Sequence, residues 1–205
     1  MQERALKTRN KILETSIEEF ASKGFHGTRV DEIASKAGVN KQRIYAYFQS
    51  KEVLFAAVLK NCYDKIIFVE EPLKDLKEED IPYLGETILK LYVKFHESHP
   101  EFWRLLTWAN LSEEVNLEEI ASLRSASMVH IKKLYTKGQS LKHFKKEVSF
   151  DTFIYTMTAL SYFMFSNRNT MAKMFELDLD DDVFQNRLIS ETLKMIDMPE
   201  KNKGR

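Results

Sequence analysis

One cysteine in 205 residues leaves no internal disulfide to staple the chain. Cys62 is expected to be a free buried thiol, with redox sensing as the alternative use, in a reducing cytoplasm. Four prolines and six glycines give few places where a helix must stop. No strand-like alternation runs along the chain, so an all-α protein is expected. No apolar run reaches membrane-spanning length, and the start, MQERALKTRNK, is too polar for a secretory signal. A glycine-rich phosphate loop and a G-x-S-x-G elbow are both missing. No spacing of Ser, His and Asp singles out a triad, so a helical enzyme is the remote alternative. Net charge is missing as well, 31 Lys+Arg against 31 Asp+Glu. Taken whole, that balance speaks against a nucleic-acid binder. Taken in parts it does not: residues 1–60 carry 11 Lys+Arg against 7 Asp+Glu, and residues 61–205 carry 20 against 24. The acidic remainder is expected to face away from a polyanion bound by the basic part.

What the chain does have is concentrated between Thr28 and Lys51, in TRVDEIASKAGVNKQRIYAYFQSK. Ala34 is small enough for two helix backbones to cross closely. Gly38 suits the left-handed backbone of a tight turn. Ile44 returns from the second helix into the shared core. This spacing predicts a helix-turn-helix whose second helix, Lys41 to Phe48, presents an outer face to a DNA groove. Thr28 with Asp31 has the spacing of a capping pattern for the first helix, and Asn40 is a preferred N-cap for the second. The exposed residues of that helix are expected to be Lys41, Gln42, Arg43, Tyr45 and Tyr47. They supply cations for phosphates, an amide for base edges and phenols for phosphate oxygens. The plain alternative is a helical hairpin with solvated charges.

The run from Ile12 to Leu59 resembles the N-terminal domain of the tetracycline-repressor-like (TetR) family of bacterial transcription regulators. The marks are Phe20, Gly24-Phe25, Thr28, Ile33-Ala34, Ala37-Gly38-Val39, Ile44-Tyr45, Tyr47-Phe48 and Ser50-Lys51-Glu52. The resemblance implies a homodimeric repressor on a palindromic double-stranded DNA operator. It implies a DNA-binding domain over residues 1–50 and a helical ligand-binding and dimerisation domain over residues 51–205. By position, Tyr45, Tyr47 and Lys51 would contact phosphates, Lys41, Gln42 and Arg43 would reach bases, and Arg29 and Asn40 would lie beside the DNA backbone. Many members have Ser and Thr where this chain has Asn40 and Arg43, so the operator sequence cannot be borrowed from a relative. In the family the last two long helices pair with their mates, here about residues 149–167 and 182–198. A small, hydrophobic effector, of unknown identity, would release the operator. Control by a partner protein or by abundance, without an inducer, is the alternative.

Helical periodicity organises the rest. The first helix is expected from Glu3 to Ser22, with Leu13, Ile17 and Phe20 inward and Gly24 as its stop. Lys7, Arg9 and Lys11 near its start are either phosphate contacts or simply solvated. A fourth helix should run from Ser50 toward Val69, then a charged loop over residues 70–82, then a helix to about Glu97. Pro100 opens a short helix. Asn116 and Glu119 form a capping pattern before a helix that Gly138 should end. The stretch from Ser149 to Asn167 is apolar on every side and should be buried on every side, against its own domain and a partner subunit. Asp180 to Asp182 suit the start of the last helix, and Lys201 to Arg205 should form a tail.

Aromatic and methionine residues are dense beyond residue 90. At helical spacing such residues are usually core, yet an apolar cavity with a few polar handles also fits a hydrophobic ligand. Phe102, Trp103, Met128, Met157 and Tyr162 are the lining candidates, with Asn110 and Thr156 as further polar handles. His96, His99 and His130 could in principle hold a metal. Surface or capping roles are preferred for them, and no cofactor is expected.

Overall fold

The computed structural model describes residues 2–112, 126–179 and 181–196. Within them every regular element is helical: α1 (Gln2–Gly27), α2 (Val30–Ala37), α3 (Lys41–Phe48), α4 (Lys51–Glu70), α5 (Leu84–Ser98), α6 (Pro100–Asn110), α7 (Ala126–Ser140), α8 (Phe150–Ser166), α9 (Arg168–Phe175) and α10 (Asp182–Ile196). Two compact units result. The first draws on residues 1–66 and 99–124, the second on residues 67–98 and 125–205.

In the first unit, Leu13, Ile17 and Phe20 form the buried stripe of α1, as the 3.6-residue period requires. Phe20 and Phe25 both close on Phe55 of α4, with ring centroids 4.8 Å and 5.4 Å away. Gly24 breaks α1 at φ 72°, ψ 178°, and one more helical turn follows it. The Trp108 indole from α6 lies against this break, where a Cβ on Gly24 would stand 2.6 Å from the ring. Thr28 does not cap α2. Arg29 is the N-cap residue, without a side-chain bond. The Thr28 hydroxyl is buried within 2.7 Å and 3.1 Å of the Gly24 and Glu19 carbonyls. A buried hydroxyl needs a partner, and the irregular end of α1 offers one.

The second unit has an aromatic centre. Tyr135 of α7 stacks on Phe144 and Phe153, at 4.8 Å and 4.5 Å. Residues 70–82, expected as loop, contain two 3₁₀ helices, Glu71–Asp75 and Glu78–Tyr83. They are held because Leu73 and Ile81 are buried. Where α4 ends, the Tyr92 hydroxyl donates to the Glu70 carboxylate at 2.8 Å and the Ser127 hydroxyl to the Glu70 carbonyl at 3.0 Å. Gly138 does not end α7, which continues to Ser140. Its missing side chain makes room instead for the Phe144 ring and Ile81.

One side of α8 is buried through Phe153, Met157, Ser161, Met164 and Phe165. The other is open in the single chain, with Tyr155 76% and Phe163 46% exposed, so α8 is not buried all round within its own subunit. Helix α9 was not anticipated, and it leaves Met174 and Phe175 exposed. Asp181 caps α10 by accepting from the Val183 and Phe184 amides at 3.0 Å and 3.3 Å. Asn116, Glu119, Asp180, Met198 and Lys201 to Arg205 lie outside the described residues.

Candidate nucleic-acid interface

The hairpin is built from its turn outward. Gly38 takes φ 64°, ψ 38°, and the Gly38 and Val39 amides bond back to the Ser35 and Ala34 carbonyls. This left-handed turn closes α2 and frees the chain to start α3 at a new angle. Asn40 caps α3: its Oδ1 accepts from the Arg43 amide at 2.8 Å. Ile44 and Phe48 then point into the core at 1% and 2% exposure, while Lys41, Gln42, Arg43 and Tyr45 are exposed and Tyr47 is half-buried. Arg29 and Asn40 are exposed as well.

A buried charge fixes α2 to α1. The Glu19 carboxylate bonds the Lys23 ammonium at 2.8 Å and also the Lys36 ammonium of α2, and Lys23 reaches Glu32 at 2.6 Å. Burial would raise the Glu19 pKa, but the hydrogen bonds from Lys23 and Lys36 outweigh it and hold the group below its ordinary range.

The cations near α3 differ in how they are held. Lys41 lies 2.9 Å from an Asp31 carboxylate oxygen, and this hydrogen bond raises the pKa of the ammonium. Lys51 folds back with its ammonium 4.6 Å from the Phe25 ring centroid, and burial lowers its pKa. Arg9 stacks its guanidinium 5.1 Å from the Phe48 ring. Arg9 also lines an open apolar groove of about 540 Å³ with Glu3, Ala5, Leu6 and Tyr47.

The candidates for a ligand site fall in both units. Phe102 is buried edge-on to Tyr63 at 5.5 Å, in the first unit. Trp103, also there, has an indole Nε1 that is buried without an acceptor among the described residues, and the Arg104 guanidinium lies 5.1 Å from its ring. In the second unit Met157 is buried, Met128 and Tyr162 are half-buried, and the Tyr162 ring is 6.2 Å from that of His96. Asn110 is exposed, and the Thr156 hydroxyl donates to the Thr152 carbonyl at 2.8 Å.

His96 is neither a surface nor a capping residue. It is buried beside Phe95, Tyr162 and Phe165, and desolvation pushes its pKa down to about 4. His130 places Nε2 2.7 Å from the Leu76 carbonyl oxygen. Among the described residues, no group of three or more His, Cys, Asp or Glu is placed to hold a metal, and no helix is long and apolar enough to cross a membrane. Cys62 is buried, and its pKa is pushed up to about 12 by that burial, so the thiol stays protonated.

Residues 12–58 match the family described as bacterial regulatory proteins, tetR family, and residues 86–196 match the tetracyclin repressor-like C-terminal domain. The chain belongs to the TetR family. Among its relatives is the HTH-type transcriptional repressor NicS of Pseudomonas putida, 31% identical over 185 residues that cover 87% of this chain and 85% of NicS. The HTH-type transcriptional regulator RutR of Escherichia coli is 36% identical over 104 residues, 50% of this chain and 48% of RutR. In fold the chain is similar to a TetR family transcription regulator from Marinobacter aquaeolei, with TM-score 0.69 at 19% identity, covering 97% and 100% of the two chains. It is also similar to the TetR family regulator PfmR of Thermus thermophilus, with TM-score 0.61 at 18% identity, covering 77% and 84%. This TetR-family chain is a DNA-binding transcriptional regulator with an N-terminal helix-turn-helix and a helical C-terminal domain. The matched family and relatives are regulators, not enzymes.

Two features of this TetR-family head escaped the sequence. Asp31 reads there as half of a capping pattern, and its pairing with Lys41 depends on the angle between α2 and α3. Glu19 reads as one of several acidic residues on α1, and its burial shows only once α2 covers it.

Proposed function

We propose that this TetR-family protein is a homodimeric repressor. Each subunit lays α3 in the major groove of one half of a palindromic operator, the half-sites being about 34–36 Å apart or a multiple of that. Lys41, Gln42 and Arg43 read bases; Tyr45, Tyr47 and Lys51 hold phosphates; Arg29 and Asn40 lie beside the backbone. The reading is carried by the outer face of α3, where Lys41, Gln42, Arg43 and Tyr45 stand exposed while Ile44 and Phe48 anchor the helix. It places the protein in the cytoplasm with the DNA. The open side of α8, with Tyr155 and Phe163 exposed, supports pairing of α8 and α10 with their mates. Residues 1–50 form the DNA-binding domain and residues 51–205 the effector and dimerisation domain. A small hydrophobic effector enters the latter, either near Phe102 and Trp103 or near Met128, Met157 and Tyr162, and shifts α4, so that the two heads no longer match the operator. The Trp103 Nε1, buried without an acceptor among the described residues, supports a ligand that carries one.

The test is fluorescence anisotropy of the pure protein on a labelled duplex from upstream of its own gene, with random DNA as competitor across a salt series. Specific, salt-sensitive binding of two subunits per site is expected. Equal weak binding to every duplex, including those selected from a random library with ligand-stripped protein, would overturn the reading.

A further inference from the structure

Asp31 stands in the first turn of α2 and Lys41 at the first position of α3, so the Lys41–Asp31 pair spans the turn between the two helices. Both side chains are open to solvent, Asp31 at 70% and Lys41 at 47%, with 2.9 Å between Nζ and Oδ2. Among the described residues Arg29 and Arg43, on the same hairpin, have no carboxylate within ion-pair distance. Among the hairpin's cations, Arg29 and Arg43 are thus without a carboxylate, Lys36 is held by Glu19 at the junction with α1, and Lys41 is the one on α3 already neutralised.

That difference matters because a random duplex offers the protein mainly phosphates, and each cation that neutralises one adds to non-specific affinity. A lysine held by a carboxylate must give up that partner before it can serve a phosphate. The carboxylate also carries a charge of the sign that phosphates repel. An exposed pair of this kind is weak, enough to change an equilibrium by about five-fold at most. Such a pair cannot lock the protein off DNA. It can tilt the ratio between right and wrong sites, and a ratio is what a regulator needs amid a large excess of other DNA.

We propose that Asp31 is a specificity-determining residue that acts through Lys41. It keeps the Lys41 ammonium from neutralising phosphates on random DNA. It releases the ammonium where a base-edge acceptor in the operator takes the place of the carboxylate. The proposal rests on the reading of Lys41 as a DNA contact.

The experiment compares wild type, Asp31→Asn, Asp31→Glu, Lys41→Met and the Asp31→Asn/Lys41→Met double variant, as full chains of matched helical content. Each is titrated by anisotropy onto two duplexes across a salt series. One duplex has mixed random sequence. The other is the operator recovered from a random-sequence library by the wild-type protein. Asp31→Asn is expected to bind the random duplex about five-fold more tightly at low salt, with a log–log salt slope steeper by about one. Its operator affinity should change less, so the specificity ratio falls. Asp31→Glu, which keeps the charge and can reach the same ammonium, should behave as wild type. In the Lys41→Met background most of the gain from Asp31→Asn should disappear. Unchanged random-DNA affinity and slope in Asp31→Asn would overturn the proposal. A gain of the same size in the Lys41→Met background would also overturn it, because Asp31 would then act by its own charge alone. If Lys41→Met alters binding to neither duplex, the reading of Lys41 as a contact fails. If Lys41→Met weakens operator binding while Asp31→Asn changes nothing, only the role of Asp31 fails.

Discussion

Replacing Gly138 by Ala tests whether this glycine serves the helix or its neighbours. Inside a helix the change normally stabilises by about 1 kcal/mol, because glycine loses more backbone freedom on folding. At Gly138 the new Cβ would stand 2.5 Å and 2.6 Å from two Phe144 ring carbons and 2.8 Å from Ile81 Cγ2. Carbon atoms pack at about 3.5–4.0 Å, so the ring must retreat by about 1 Å. Phe144 is 1% exposed and stacked on Tyr135 at 4.8 Å, and Ile81 is fully buried, so neither side chain has an open direction. Overpacking of this kind costs about 1–3 kcal/mol. Three contacts under 3 Å put the cost in the upper part of that range, about 2–3 kcal/mol, and the propensity gain of about 1 kcal/mol leaves a net loss of about 1–2 kcal/mol, or a fall in Tm of about 2–8 °C for a chain this long. Gly27→Ala is the control. Its Cβ would meet nothing closer than Lys23 Cβ at 3.4 Å, so it should be neutral or stabilising by up to about 1 kcal/mol. Circular dichroism melts at one fixed protein concentration compare the three proteins, since dimerisation would make Tm depend on concentration. A Gly138→Ala protein that melts at or above wild type would refute the packing argument.

The remaining tests address single groups. Asn40→Ala removes the Oδ1 that accepts from the Arg43 amide and should cost about 1 kcal/mol in urea unfolding; an unchanged midpoint would mean the cap contributes nothing. His96 has a folded pKa of about 4 against an ordinary value of 6.5, so the unfolded chain binds a proton that the folded one refuses. Its contribution to stability is complete above pH 6.5 and is lost as pH falls toward 4, about 2 kcal/mol by pH 5. His96→Phe should flatten that part of the pH–stability curve, and parallel curves for the two proteins would dispose of the explanation. Cys62, with its thiol pKa near 12, should resist Ellman's reagent at pH 8 until denaturant is added; prompt labelling of the native protein would contradict its burial. Arg43→Ala should lose about 1–3 kcal/mol at one base position of the operator, whereas uniform loss on all sequences would make Arg43 a phosphate contact.

What could be read from the sequence was local. Leu13, Ile17 and Phe20 share a face because of the helical period alone, and Gly38 and Asn40 act within a few residues of themselves. The hairpin, its caps on α3 and its exposed face were legible for that reason. Thr28 misled because its spacing to Asp31 suits a cap, while the break at Gly24, outside that window, supplies the acceptors that win. Gly138 misled because a stop and a close approach both call for glycine, and only the partner Phe144 tells them apart. His96 carries no mark of burial in its neighbours, which are half polar. The run from Ser149 to Asn167 shows its hydrophobicity plainly, but not which side belongs to its own subunit.

Trp108 lies on the break in α1, though a long stretch of chain separates it from Gly24. That contact bears on modularity. A chimera joined at residue 50 would carry Gly24 into a new host and leave Trp108 behind. Whatever the host supplied at the matching position of α6 would then sit on the bare backbone of the break. Tryptophan is the largest side chain, so any other residue there would leave a hole beside the turn that leads to Thr28. Heads exchanged between relatives should therefore travel with residues 100–110. A change at Gly24 in the course of divergence is also expected to bring a compensating change at residue 108.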